Sequence, residues 1–131
     1  MVLAKQRGAK RALPLPVSAP FHCALMAPAR EGLAPALAQT PFADPRFPVV
    51  VNVDARPVGT GEASRDALVR QIDSPVRWAE SIRVLAGELG VSRLVEVGPG
   101  SVLCGLARRI DSKLECLPLA DPSAIDRITA E

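Results

Sequence analysis

Apolar residues along this chain recur with two different periods. Short apolar runs with β-branched residues fall at 11–17, 47–51, 93–97 and 114–119, and each reads as a strand. Pro14 and Pro16 limit what the first of them can donate to a ladder. The run 47–51 has the composition of a strand buried on both faces. Between these runs the period lengthens to that of a helix. Leu25, Ala29, Leu33 and Leu37 mark one helical face, with Pro28 suited to a first turn and Pro35 predicting a bend or break. Ser64 predicts the cap of a helix over 65–72 with Leu68 and Ile72 inward, stopped by Asp73-Ser74-Pro75.

Ser74 followed by Pro75 then predicts the start of another helix. Its stripe is Trp78, Ile82, Leu85 and Leu89, and Gly90 ends it. Gly98-Pro99-Gly100-Ser101 turns the third strand into a helix with Val102, Leu103, Leu106 and Ile110 as its inner face. Asp121-Pro122 opens a last short helix reaching residue 130. Residues 1–10 are basic, lack a cap and read as the remnant of a preceding segment. The alternation of short strands and amphipathic helices predicts an α/β fold with a largely parallel sheet.

Composition narrows the partners. Hydrophobic residues make up 48% of the 131, enough for a core, whereas aromatic residues make up only 3%, so Leu, Val, Ile and Ala must build it. A formal net charge of +2, without aromatic–basic interleaving, gives no footprint for nucleic acid. No apolar run approaches the ~18 residues of a membrane span, and the chain reads as soluble and cytoplasmic. Cys23, Cys104 and Cys116 are odd in number and lack a C-x-x-C, which argues against a disulfide framework or a zinc site. One histidine and no clustered acids leave no metal cage, and no cofactor motif is present.

The chemistry-bearing candidates are few. His22, the single histidine, sits in a proline-braced loop after the first predicted strand. Histidine is the usual general acid/base near neutral pH, but a loop histidine with one satisfied hydrogen bond is the plainer reading, and no sequence-adjacent carboxylate offers to orient it. Cys23 beside it does not make a Cys/His pair, because adjacent side chains rarely point at each other. Gly98 to Ser101 can hold an anion at a strand-to-helix turn, yet it matches neither G-x-G-x-x-G nor a P-loop, and a structural turn explains it as well. No serine lies in a G-x-S-x-G elbow. Lys5, Arg7, Lys10 and Arg11 form a basic terminus that suits solvent or an acidic partner.

Four stretches together resemble a known family. Leu15-Pro16-Val17-Ser18-Ala19-Pro20-Phe21-His22-Cys23-Ala24-Leu25-Met26 is similar to the catalytic-histidine segment of malonyl-CoA:acyl-carrier-protein transacylases. Val50-Val51-Asn52-Val53-Asp54-Ala55, then Arg70-Gln71-Ile72-Asp73-Ser74-Pro75-Val76-Arg77-Trp78, then Val95-Glu96-Val97-Gly98-Pro99-Gly100-Ser101-Val102-Leu103 follow in the family's order. The resemblance implies an α/β-hydrolase-like acyltransferase domain of which residues 1–131 are the C-terminal part. It implies malonyl transfer from malonyl-CoA to the phosphopantetheine thiol of acyl carrier protein in fatty acid biosynthesis. A serine ester is the intermediate, and the kinetics are ping-pong. His22 would be the shuttling base, a backbone carbonyl at Gln71 its orienter in place of a triad aspartate, and Phe21 the residue that shapes the acyl pocket for malonyl.

The family's domain is more than twice this length. Its G-H-S-x-G serine, the arginine for the malonyl carboxylate and the oxyanion-hole glutamine lie upstream of the histidine, on sequence this chain does not contain. The isolated chain is therefore expected to be inactive. Two other readings stay open: a non-enzymatic module that binds acyl carrier protein or complements a separate N-terminal half, and an independent phosphate-binding domain using Gly98 to Ser101.

Overall fold

A computed structural model describes residues 1–14 and 16–125. Helix α1 (Val2–Gln6) is a single exposed turn and a half, without a side-chain cap. A 3-10 turn (Ala24–Met26) leads into α2 (Ala27–Gln39), and a hairpin of β1 (Val49–Val51) and β2 (Arg56–Val58) precedes α3 (Gly61–Gln71). Then come α4 (Trp78–Arg83), a π-helical turn (Val84–Glu88), β3 (Arg93–Val97), α5 (Val102–Ile110), β4 (Glu115–Leu119) and a 3-10 turn (Pro122–Ala124).

Among the described residues four strands make two pairs. β1 and β2 are antiparallel, with Val49 opposite Val58 and Val51 opposite Arg56. β3 and β4 are parallel, with Arg93 opposite Glu115 and Val97 opposite Leu119, and α5 is the crossover that a parallel pair requires. The fold is α/β as expected, with one parallel and one antiparallel pair where a largely parallel sheet was predicted. β2 is not among the predicted strands, because Arg56-Pro57-Val58 is short and carries a proline. Pro57 is tolerated because β2 has a neighbour on one side only.

The predicted strand over 11–17 does not form. Residues 11–14, 16 and 17 have no regular structure, and Leu15 lies outside the described residues. A strand with two prolines needs a partner able to accept an irregular edge, and none of the described residues pairs with it. Of the bend or break expected at Pro35, the break is absent, since α2 runs through it as one helix. Pro35 is exposed, so one backbone bond is lost while the half-buried side of Ala27, Arg30, Ala34 and Leu37 persists and α2 packs on α3. That side differs from the predicted face: Leu25 is 75% exposed and Leu33 is exposed too.

Helix α3 starts four residues before its predicted first residue. Thr60, not Ser64, caps it, its Oγ1 accepting from the Ala63 N–H at 3.2 Å. The Gly61 N–H donates to Asp44 Oδ1 at 2.8 Å, so a second orphan donor of the first turn is met from a distant loop. Ala67 is buried in place of Leu68, which is exposed. Helix α4 starts later than Ser74-Pro75 predicted. The Arg77 N–H donates to the Asn52 carbonyl at 2.9 Å, which draws the preceding residues along the β1–β2 turn and leaves Arg77 as N-cap.

The core lies between α4, α5 and the β3–β4 pair. Ile82 is fully buried, with Ala107 and Leu114, and Trp78, Leu85, Leu94 and Ile110 pack around them. The stripe of α4 is therefore as predicted for Trp78, Ile82 and Leu85, while Leu89 is exposed. Gly90, at φ +66°, ends the helix after its π turn. Helix α5 faces the core with Cys104 and Ala107, whereas Val102 is 70% exposed and Leu103 and Leu106 are exposed as well. Small residues on the inner side let α5 approach β4 closely; of the predicted face Ile110 packs on the core, while Val102, Leu103 and Leu106 are left outward.

Cys104 and Cys116 are joined as a disulfide between α5 and β4, their Cα atoms 5.3 Å apart. The odd cysteine count concealed this pair, because crossover topology brings two widely spaced residues onto facing elements. Cys23 is free. The last helix is seen only as its opening turn, where Asp121 Oδ1 accepts from the Ser123 N–H at 2.9 Å; residues 126–131 lie outside the described ones.

Candidate functional site

His22 stands just before the 3-10 turn that opens α2, and its backbone is left-handed, with φ +58°. A non-glycine residue there costs of order 1–2 kcal/mol and persists only where the surroundings hold it. Phe21 donates its N–H to the Ala19 carbonyl at 2.9 Å, and the Cys23 thiol donates to the Pro20 carbonyl at 3.2 Å. The thiol thus engages the loop and not the imidazole. Phe21 is 58% exposed.

The imidazole reaches across to the end of α3. His22 Nδ1 lies 2.9 Å from the main-chain oxygen of Gln71. A carbonyl can only accept, so Nδ1 carries the hydrogen, and in the neutral ring Nε2 is left bare. Gln71 is the last residue of α3, where carbonyls lack an intrahelical partner and are free to accept from elsewhere. The same oxygen also receives the Ser74 N–H at 3.4 Å. The Gln71 side chain folds over its own loop, Nε2 donating to the Ser74 carbonyl at 2.9 Å and to the Pro75 carbonyl at 3.4 Å. Its Oε1 is buried without a partner among the described residues. A hollow of about 200 Å³ between β1 and α3 is bordered by Val51, Asn52, Ala67 and Gln71.

Around this contact the structure places a charged network that sequence reasoning missed. Arg70 binds Asp54 with two parallel bonds, Nη1 to Oδ1 at 2.8 Å and Nη2 to Oδ2 at 2.6 Å, and its Nε reaches Asp66 at 2.8 Å. Hydrogen bonding from Arg70, reinforced by the charges of Arg70, Arg56 and Arg77, holds the Asp54 carboxyl below its ordinary value. Asp54 and Asp66 in turn raise Arg70. Arg77 Nη1 donates to the Asp54 carbonyl at 2.9 Å, and its other nitrogens pair with Glu80, lowering that carboxyl. Arg30 of α2 reaches Asp73 at 3.0 Å, tying the helix that follows His22 to the turn that follows Gln71. Asp54, Arg70 and Arg77 lie within the motif stretches. Nothing in a linear reading shows that residues 16 and 23 apart meet.

The helix start that follows Gly98 to Ser101 is already occupied. The Glu96 carboxylate accepts from the Leu103 N–H at 3.0 Å and the Cys104 N–H at 2.8 Å. The start of α5 therefore holds the chain's own anion, and the phosphate-binding reading falls. Among the described residues no group of three or more His, Cys, Asp or Glu could hold a metal, and no helix is long and apolar enough to cross a membrane.

No family model matches the chain. It is 54% identical over 121 residues to the malonyl CoA-acyl carrier protein transacylase of Escherichia coli K12, covering 92% of this chain and 39% of that protein. The Bacillus subtilis 168 protein of the same name is 43% identical over 124 residues, covering 95% of this chain and 39% of its own length. The crystal structure of an acyl-carrier-protein S-malonyltransferase from Burkholderia pseudomallei superposes with a TM-score of 0.90 at 45% identity, over 99% of this chain and 42% of that one. A type II polyketide acyl carrier protein in complex with its malonyl-transacylase gives a TM-score of 0.88 at 48% identity, over 97% of this chain and 41% of the matched chain. The chain thus spans about two-fifths of the length of the curated relatives it matches.

Proposed function

We infer that this chain, which over nearly its whole length belongs with a part of the malonyl CoA-acyl carrier protein transacylase family, contributes the shuttling base of an acyl transfer. The observation that carries the reading is the 2.9 Å contact from His22 Nδ1 to the Gln71 carbonyl. A carbonyl orienter fixes the tautomer as a triad aspartate does, with less help to the imidazolium.

In this reading Nε2 takes the proton of a serine hydroxyl as that oxygen attacks the malonyl thioester, and the imidazolium returns the proton to the departing coenzyme A thiolate. Nε2 next deprotonates the phosphopantetheine thiol of acyl carrier protein as it attacks the malonyl-serine ester. Collapse gives malonyl-acyl carrier protein, and the proton goes back to the serine oxygen. The step belongs to fatty acid biosynthesis, and it calls on no metal or cofactor. Phe21, beside the base, would shape the acyl pocket, its ring leaving little room for an α-branch.

None of the serines of this chain lies in an elbow motif. The nucleophile and the cation for the malonyl carboxylate therefore belong to the portion of the domain that the relatives have in addition, and residues 1–131 correspond to the C-terminal part. The exposed Val97, Val102, Leu103 and Leu106 suit cover by that portion. Incubation with labelled malonyl-CoA, with and without a separately supplied N-terminal segment carrying the G-H-S-x-G serine, tests the reading. Label is expected on the supplied segment and its onward transfer to acyl carrier protein only when both are present. Label on the 131-residue chain alone would overturn it.

A further inference from the structure

We propose that the Asp54–Arg70 pair is a positioning device for the base: it fixes the end of α3, hence the Gln71 carbonyl, and so the Nδ1–H tautomer of His22. The proposal rests on the reading of Gln71 as orienter and adds what orients Gln71 itself.

A carbonyl in the last turn of a helix is a poor reference point unless the turn is tied down, because helix ends fray. Here the tie is adjacent in sequence. Arg70 precedes Gln71, and its guanidinium meets the Asp54 carboxylate through two parallel bonds of 2.8 and 2.6 Å, a geometry that admits one relative orientation. The third bond, Nε to Asp66 at 2.8 Å, keeps the guanidinium over its own helix.

Asp54 is itself held. It sits in the β1–β2 turn directly before Ala55, which is buried and left-handed at φ +52° and donates its N–H to Val51 at 2.8 Å. The Asp54 carbonyl receives Arg77 Nη1 at 2.9 Å, while the neighbouring Asn52 carbonyl receives the Arg77 N–H at 2.9 Å. One turn therefore grips residue 70 by its side chain and residue 77 by both side chain and backbone. Those two residues bracket the segment whose first carbonyl accepts from His22.

A surface ion pair without a positioning role would leave the imidazole unaffected, and the single histidine makes the difference measurable on this chain without any activity. With ¹⁵N-labelled imidazole at about pH 8.5, above the ordinary imidazole range, the wild-type ring is expected to show the Nδ1–H tautomer alone. Asp54→Asn and Arg70→Lys, which remove the two-pronged geometry with little change in size, are expected to lose that signature to a mixture of tautomers. Glu115→Gln, which breaks the Arg93–Glu115 pair elsewhere on the surface, is expected to retain it. Wild-type tautomer ratios in both Asp54→Asn and Arg70→Lys overturn the proposal and leave the orienter reading standing. A wild-type ring already averaging between tautomers overturns the orienter reading itself. If both variants lose their circular-dichroism signal while Glu115→Gln keeps it, the pair is structural and the proposal fails.

Discussion

His22 and Gln71 are 49 residues apart in the chain and joined by a 2.9 Å hydrogen bond from imidazole Nδ1 to a main-chain oxygen. Because the acceptor is a carbonyl at a helix end, no side-chain substitution at position 71 removes it outright. Gln71→Ala deletes only the folding-over of the side chain onto Ser74 and Pro75. His22→Ala deletes the imidazole and with it the proposed base. In a reconstituted transfer assay with the supplied segment, His22→Ala is expected to lower the rate ~10²- to 10⁴-fold. Gln71→Ala should cost less, since the carbonyl remains. Equal losses in the two variants would contradict a backbone orienter.

Asp54 carries a pH signature. Its carboxyl is held below its ordinary value in the folded chain, first by hydrogen bonds from Arg70. A depressed folded value means that the stabilisation is fully present above the unfolded value and is lost as pH falls through the folded one. Both side chains are more than a third exposed, so the effect is discounted to ~0.5 kcal/mol. Melting curves of wild type and Asp54→Asn should differ by that amount at neutral pH and converge in acid. A constant gap down to pH ~2 would show that the carboxylate charge is not its source.

The disulfide offers a redox test. A loop of the size closed by Cys104 and Cys116, at a sequence separation of 12, is worth ~3 kcal/mol through the unfolded chain. Reductant, or Cys104→Ala with Cys116→Ala, is expected to lower the melting temperature by a corresponding amount. Alkylation of all three cysteines in the native, non-reduced chain would show that the bond is not formed.

Gly61 is a steric test of the α3 start. A Cβ there would fall well inside contact distance of the main-chain oxygen of Phe42, which cannot rotate away. Gly61→Ala is expected to destabilise by ~2 kcal/mol, as overpacking does, measured by urea unfolding. Gly59→Ala, which meets open space, serves as the comparison.

Ile82 tests where the core lies. It is fully buried between α4 and α5, so Ile82→Ala is expected to cost ~2–5 kcal/mol. Leu25→Ala, on a residue 75% exposed, should cost only a few tenths of a kcal/mol.

The sequence by itself determined the elements whose pattern is local. β3 was legible at 93–97 because its five residues are bounded by turn signals, and α4's stripe was legible because Trp78, Ile82 and Leu85 repeat at helical spacing. The motif stretches likewise placed His22 and Gln71 in one family pattern before any geometry was known. What only the tertiary structure decided depends on partners distant in the chain. Asp44 and Thr60 start α3 early, Arg77's bond to Asn52 delays α4, and small Cys104 and Ala107 outrank Val102 and Leu106 for the core because α5 must approach β4 closely. The same holds for the site. A histidine next to no carboxylate looks unoriented in one dimension, and the end of α3, held by Asp54 and Arg70, supplies the acceptor only once the chain has folded.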